Sequence, residues 1–321
     1  MNAPSMLRVR VRSITRLAPQ VHAVVLETLD GRALPPAEPG CHIDLRLGPQ
    51  LLRSYSVVGR AGADSRYEIA VARDAASRGG SVHVHDRLRV GDELEISAPR
   101  NLFPLLEDAP ASLLIAGGIG ITPIWSMVQR LEALGRPWQL LYAARSRRDA
   151  AYLDEVEACA AASAQGQLCL HFDDERGTPP DLAQAVAAAP ADAHLYCCGP
   201  QPMLAAYERA TAGRPAAQVH LERFAAPQST VESGAFTLLL ARSGLQFEVP
   251  PDRSILDVML EQGLNAQYGC MQGACGLCET AVVDGIPEHR DTLLSDEDRA
   301  SNRKLLICCS RSRTPTLTLD A

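Results

Sequence analysis

Aromatic side chains are scarce: Phe, Trp and Tyr together make up 4% of the 321 residues. Cores must therefore be built from aliphatic packing, and a hydrophobic content of 46% is enough to build them. An excess of basic charge is also missing. The formal net charge is −7, which argues against a nucleic-acid surface. No apolar run reaches the roughly twenty residues of a membrane span. The opening Met-Asn-Ala-Pro-Ser-Met-Leu-Arg lacks the apolar centre of a secretory signal. Cys41, Cys159, Cys169, Cys197 and Cys198 lie in apolar or helical contexts without a disulfide framework. A reducing cytoplasm, with no membrane and no nucleic-acid partner, is expected. The paired Cys and His ligands of a Rieske centre are absent as well. Cys41-His42 is the only adjacent pair and lacks the spacing, so the chain is not read as an oxygenase.

The remaining cysteines do form a pattern. Cys270, Cys275 and Cys278 follow C-x4-C-x2-C, and 29 residues separate Cys278 from Cys308. This is the plant-type ferredoxin spacing, in which four thiolates hold one [2Fe–2S] cluster. Gly269, Gly273 and Gly276 keep the loop small enough for three thiolates to converge. A zinc site would need only C-x-x-C pairs; the x4 arm and the distant fourth cysteine set this pattern apart. Cys309 competes with Cys308 for the fourth position. Cys308 is preferred on spacing, and in a strand Cys309 would face the other way. From 235 to 321 there are twelve acids and eight bases, so the acidic excess concentrates beside this pattern.

Before the cysteine region the chain changes character twice. Leu7–Arg12 alternates with period two, and Val21–Leu29, Cys41–Leu47, Tyr67–Val71 and Glu93–Ser97 read as further short strands. Pro and Gly punctuate them, predicting a small antiparallel barrel over residues 1–106. Three motifs point to a flavin there. Arg53-Ser54-Tyr55-Ser56 follows an expected strand, Ala70 and Val71 lie in the strand Glu68–Arg73, and Arg78-Gly79-Gly80-Ser81 opens a short helix. A phosphate is met by an arginine, bare amides at a glycine turn and a hydroxyl at a helix start. The ring wants an aromatic neighbour, Tyr55, and a hydroxyl near its redox-active nitrogen, Ser56.

Residues 107–226 alternate strand and helix: Ser112–Ala116, Ile124–Leu134, Trp138–Ala143, Ala150–Ala164, Leu168–Phe172, Pro180–Ala189 and His194–Cys198. Such alternation predicts an α/β nucleotide-binding domain with a parallel sheet and its ligand at the strand C-termini. Two turns sit there. Gly117-Gly118-Ile-Gly120-Ile-Thr122-Pro123 lets a pyrophosphate approach the backbone but is not G-x-G-x-x-G, and Cys198-Gly199-Pro200-Gln-Pro-Met203 is the second. Small, polar residues at 227–234 read as a linker. From 235 to 321 strands at Phe236–Leu240, Leu245–Val249, Glu279–Val283, Leu305–Cys308 and Thr316–Leu319, with a helix over Ser254–Gln262, predict a compact α+β unit.

The ordered set Arg53-Ser-Tyr-Ser56, Arg78-Gly-Gly-Ser81, Gly117–Pro123, Cys198-Gly-Pro200, Glu222-Arg-Phe224 and four cluster cysteines resembles the phthalate dioxygenase reductase family. The resemblance spans essentially the whole chain. It implies a ferredoxin reductase-like flavin barrel, an NADH-binding domain and a C-terminal β-grasp [2Fe–2S] ferredoxin. It further implies FMN rather than FAD, NADH rather than NADPH, and a monomer. Electrons would pass to the terminal component of a Rieske-type oxygenase or O-demethylase of aromatic catabolism. By position Thr122 and Phe224 would lie near the flavin, and Gly118, Thr122, Arg145, Cys198 and Met203 near the nicotinamide nucleotide. Ser56, Cys198 and Phe224 would line the hydride path, while Cys197 belongs to the core. The alternative is an FAD-containing, ferredoxin-fused reductase serving another oxygenase or hydroxylase. Those place the ferredoxin first, whereas here it comes last.

Overall fold

The computed structural model describes residues 6–48, 51–59, 65–74, 79–224, 234–268, 271, 273 and 276–321. Arg78, Gly269, Cys270, Cys275 and residues 227–233 of the expected linker lie outside the described residues. Internal contacts divide the chain into two units, Met1–Arg223 and Phe224–Ala321.

The first unit begins with β1 (Leu7–Ala18), β2 (Val21–Thr28), β3 (Cys41–Gly48), β4 (Leu51–Val58) and β5 (Arg66–Ala72). Helix α1 (Gly80–Asp86), β6 (Glu93–Ile96) and β7 (Arg100–Asn101) follow. In β1, Val9 and Val11 turn inward and Arg8, Arg10 and Arg12 outward, as period two requires. The strand order is β4-β5-β2-β1-β6-β3-β7, and β3 also pairs with β4, closing six antiparallel strands into a barrel. Its interior is aliphatic, with Val9, Val24, Leu26, Ile43, Leu45 and Ile69 inaccessible to water. Arg53–Ser56 follows the strand β3, as expected, and itself lies within a further strand, β4, because β3 and β5 supply ladder partners on both sides.

The same unit continues with β8 (Ser112–Gly117), α2 (Ile121–Ala133), β9 (Trp138–Ala144), α3 (Leu153–Ala162), β10 (Gly166–Phe172), α4 (Asp173–Arg176), α5 (Leu182–Ala188), β11 (His194–Cys198), α6 (Gln201–Thr211) and β12 (Val219–Glu222). The sheet order is β10-β9-β8-β11-β12, and every pairing is parallel. β8 is buried along its whole length, as a central parallel strand must be. The order reverses between β8 and β11, so a crevice opens at their C-terminal ends. Helix α2 begins three residues before the predicted Ile124, since Pro123 is tolerated in a first turn that has no amide partner anyway. Barrel and sheet share a core: Ala18, Val21, Val58, Ala70 and Phe103 pack with residues of α2 and β8. The Gly40 amide donates to Ser126 Oγ of α2 at 3.3 Å.

The second unit holds β13 (Phe236–Leu240), β14 (Gln246–Val249), α7 (Ile255–Glu261), β15 (Glu279–Asp284), β16 (Pro287–Glu288), α8 (Asp296–Ser301), β17 (Lys304–Leu306), β18 (Arg311–Ser312) and β19 (Thr316–Leu319). Its main sheet runs β14-β13-β19-β15-β17, with β13 and β19 parallel. Ser254 caps α7 in a reciprocal box with Asp257, at 3.0 and 3.1 Å. That places Ile255, Leu256, Val258 and Met259 against the sheet, a β-grasp arrangement. The last ladder stops short of its predicted end. β17 ends at Leu306, because the amides of Cys309 and Ser310 both turn back to the Leu306 carbonyl at 3.3 and 3.0 Å. Strand alternation therefore cannot decide between Cys308 and Cys309.

Candidate electron-transfer site

The barrel side of the site is built on β3, β4 and the turn into α1. Gly79 has φ +94°, so the chain enters α1 through a left-handed residue. Gly80 lies under the stem of Arg53, where a Cβ would stand 2.5 Å from Arg53 Cγ. The absence of a side chain there brings the β4 arginine to the start of α1. Ser81 Oγ accepts the Asp74 amide at 3.1 Å. Tyr55 is half-buried, and burial pushes its hydroxyl up to about 12, so it stays neutral. Ser54 Oγ donates to Asp44 Oδ1 at 2.7 Å, and Arg100 donates to Asp44 Oδ2 at 2.6 Å. Ser56 is buried, and its hydroxyl has no partner. Ala70 packs in the core shared with α2. Val71 turns into the barrel core while its carbonyl accepts from His85 Nε2 at 2.8 Å.

The sheet side is an interlock of two turns. Gly117, Gly118 and Gly120 run from β8 into α2, and Cys198, Gly199, Pro200 and Met203 from β11 into α6. A Cβ at Gly120 would stand 2.2 Å from the Cys198 carbonyl oxygen, and one at Gly117 2.7 Å from Met203 Sδ. Thr122 is buried and donates to the Ile119 carbonyl at 3.0 Å, so its hydroxyl stabilises the turn itself. Pro123 accepts from Ser126 Oγ at 2.7 Å. Arg145 is exposed immediately after β9. Its neighbour Arg147 is held by Glu157 and Glu175 at 3.2 and 3.1 Å.

Cys197 and Cys198 turn to opposite sides of the sheet, Cys197 towards α6 and Cys198 into the core shared with the barrel. Cys198 is fully buried, and its Sγ lies 4.0 Å from Glu222 Oε2, on the paired position of β12. Burial, reinforced by Glu222, pushes the Cys198 thiol well above its ordinary range, so it acts as a neutral thiol. Burial likewise pushes Glu222 up to about 8. The same carboxyl also helps burial and Glu38 raise Cys41 of β3 to about 12. Glu222 therefore stands between sheet and barrel. In the sequence it is visible only as part of Glu-Arg-Phe, and its role depends on a strand, β12, that the pattern does not disclose. Phe224, two residues past β12, opens the second unit and is 40% exposed.

In the second unit Cys278 and Cys308 are both buried. The Ile307 amide donates to the Cys278 carbonyl at 3.3 Å, so the backbone leading into Cys308 runs beside that of Cys278 at the end of the β15–β17 ladder. Cys309 Sγ instead lies 3.7 Å from the Leu306 carbonyl and 3.8 Å from Ser310 Oγ. Gly273, in the cysteine loop, is wedged against Cys309 and Asp291, and its carbonyl accepts the Thr292 amide at 3.0 Å. Asp291 in turn accepts the Leu293 and Leu294 amides at 3.2 and 2.8 Å. Asp291 thus braces the loop, a role not apparent from the linear pattern.

Residues 238–313 match the 2Fe-2S iron-sulfur cluster binding domain, and residues 114–209 match the oxidoreductase NAD-binding domain. The chain is 50% identical to phenoxybenzoate dioxygenase subunit beta of Ectopseudomonas oleovorans over 89% of this chain and 88% of that protein. It is 48% identical to tetrachlorobenzoquinone reductase of Sphingobium chlorophenolicum over 99% of both. Phthalate dioxygenase reductase, a solved structure, superposes with TM-score 0.85 at 34% identity over 99% and 98% of the two chains. The chain belongs to the phthalate dioxygenase reductase family.

The residues fit the groups this family uses: FMN, NADH and one [2Fe–2S] cluster. The partnerless hydroxyl of Ser56 and the arginine poised over Gly80 suit a flavin phosphate and ring. The glycine turn after β8, with open space beside Gly118, suits a pyrophosphate. Cys278 and Cys308, both buried and carried on segments bonded to each other, suit two ligands of a cluster.

Proposed function

We propose that this chain is the reductase component of a two-component aromatic oxygenase or O-demethylase system. It oxidises NADH and delivers the electrons one at a time, through FMN and then the [2Fe–2S] cluster, to a terminal oxygenase. The observation that carries this reading is the succession in one chain of a flavin-type barrel, an NAD-binding domain at 114–209 and an iron–sulfur domain at 238–313. Bound flavin supplies the exchange between a two-electron donor and a one-electron carrier. The protein's own contribution is positional. Arg53 and the α1 turn would hold the phosphate, the β8 and β11 turns the dinucleotide, and neutral Cys198 a dry wall beside the hydride path. The unbridged thiols of Cys41, Cys159, Cys169, Cys197 and Cys198 support a reducing cytoplasm, and a monomer is proposed with it. Among the described residues no helix is long and apolar enough to cross a membrane. Holoprotein mixed with NADH and a Rieske oxygenase should support product formation, with NADPH much slower. Absence of transfer to any one-electron protein acceptor would overturn the reading.

A second reading concerns the acceptor. The 48% identity to a tetrachlorobenzoquinone reductase supports a halogenated quinone as an alternative oxidant. A quinone takes two electrons and does not require the cluster. Quinone-dependent NADH consumption that survives loss of the cluster would favour it.

Two further outcomes are expected. Arg53→Ala should weaken FMN retention roughly tenfold or more, the worth of a charge-assisted bond to phosphate. Arg53→Lys should fall between, since a point charge replaces a fork. Fluorescence titration of the apoprotein with FMN measures both. Glu222 supplies a pH signature. Its folded value, about 8, lies above its ordinary 4.5 because burial favours the neutral acid. The folded state therefore binds the extra proton, and that stabilisation is complete below about 4.5 and lost as pH rises through 8. Glu222→Gln should flatten the fall of Tm across this window and raise Tm at pH 8.5. An unchanged slope in thermal melts would refute it.

A further inference from the structure

On the outer face of the barrel, the buried atoms His42 Nε2 and Ser56 Oγ, from neighbouring strands, both lack a partner. Both residues are 5% exposed. They are directly opposed in the β3–β4 ladder, so their side chains leave the same face with Cβ atoms about 5 Å apart. They do not bond to each other. The neighbouring rungs of that face are accounted for. Two residues one way, Ser54 and Arg100 complete Asp44. Two residues the other way, Gly40 donates to Ser126 of α2 and Val58 packs in the shared core. The unsatisfied rung thus lies where the barrel meets the sheet layer. Buried polar groups are rarely left without a partner, so this pair calls for a group that completes it.

We propose that His42 is a flavin-contacting residue, which with Ser56 forms a two-point polar seat for the hydrogen-bonding edge of the isoalloxazine ring. This rests on the flavin reading of the barrel, which takes Ser56 as a ring contact and leaves His42 without a role. The ring edge carries both donors and acceptors, and a neutral imidazole offers one of each. His42 is neutral at working pH: burial, then Arg100, push it down to about 4 against the opposing pull of Asp44. It therefore fixes the ring without placing a charge beside it. Asp44, tied to Arg100 and Ser54, keeps the flanking rung rigid, so the seat is formed before the cofactor arrives.

The test is FMN titration of the apoprotein, read by flavin fluorescence quenching, with the visible spectrum and midpoint potential of the reloaded flavin as independent readouts. His42→Leu should weaken FMN binding about tenfold, the worth of one hydrogen bond left unmade, and shift the flavin absorption bands. His42→Gln, which keeps a donor and an acceptor, should recover most of both. Cluster absorbance from the second unit reports intact chain in each variant. Wild-type affinity and spectrum in His42→Leu overturn the proposal. So does an equal loss in both variants with an unshifted spectrum, which marks a packing role. A wild-type protein that takes up no flavin overturns the underlying flavin reading instead, and so separates the two failures.

Discussion

Cys308→Ser is expected to remove the iron–sulfur absorbance and all transfer to a one-electron protein acceptor, while NADH still bleaches the flavin anaerobically. Cys309→Ser is expected to leave all three intact. The contrast rests on how the two thiols are held. Cys308 follows Ile307, whose amide holds the Cys278 carbonyl at the end of the β15–β17 ladder, so the two cysteines sit on segments braced to each other. Cys309 Sγ points to the Leu306 carbonyl and Ser310 Oγ, partners for a protonated thiol. A cluster ligand is a thiolate and has no proton to give such a carbonyl. Serine at 309 keeps a donor of similar shape. Serine at 308 removes one of four ligands, and with it the single-electron exit. Visible spectra and paired assays with NADH alone and NADH plus protein acceptor read the result. A cluster that survives Cys308→Ser but is lost in Cys309→Ser would reverse the ligand choice. The same Cys308→Ser protein separates the two acceptor readings, since quinone reduction should persist in it.

Gly120→Ala is expected to abolish NADH binding and to cost about 3 kcal/mol of stability, at the upper end for a methyl forced into a packed site. The added carbon would meet the Cys198 carbonyl oxygen at 2.2 Å, its carbon at 2.5 Å and the Gly199 amide nitrogen at 2.8 Å. All three are backbone atoms of a central strand end and cannot swing aside. Gly177→Ala is the control. It too sits in a turn, with φ +72° and open space around it. Its cost should be confined to left-handed strain of about 1 to 2 kcal/mol, with NADH binding unchanged. Thermal melts and nucleotide titration distinguish them. A Gly120→Ala protein with wild-type KM for NADH would mean that the two turns do not jointly form the nucleotide site.

Local chemistry was the legible part. The cysteine spacing, the glycine turns and the alternation of strand and helix announce themselves over a few residues, and β8, β9, β11 and β13 fall where pattern places them. What escaped depends on pairing across long separations. β4 is extended because β3 and β5 flank it, although Leu-Leu-Arg-Ser-Tyr-Ser carries no clean period. β12 is four residues long, and only its docking on β11 sets Glu222 beside Cys198. His42 looked like half of a rejected metal pair until the ladder put it opposite Ser56. Asp291 gains its meaning from Gly273, eighteen residues earlier, through contact rather than spacing.

The reversal of strand order between β8 and β11 has a kinetic consequence. The two nucleotide turns grow from adjacent strands locked in register over five pairs, from His194 opposite Ser112 to Cys198 opposite Ala116. Neither turn can swing from the other without tearing that ladder, so the crevice has no jaw of its own. Its shape is fixed during folding, little ordering remains to oppose NADH entry, and nucleotide exchange should be governed by diffusion and by whatever covers the crevice, with no slow opening step inside the sheet.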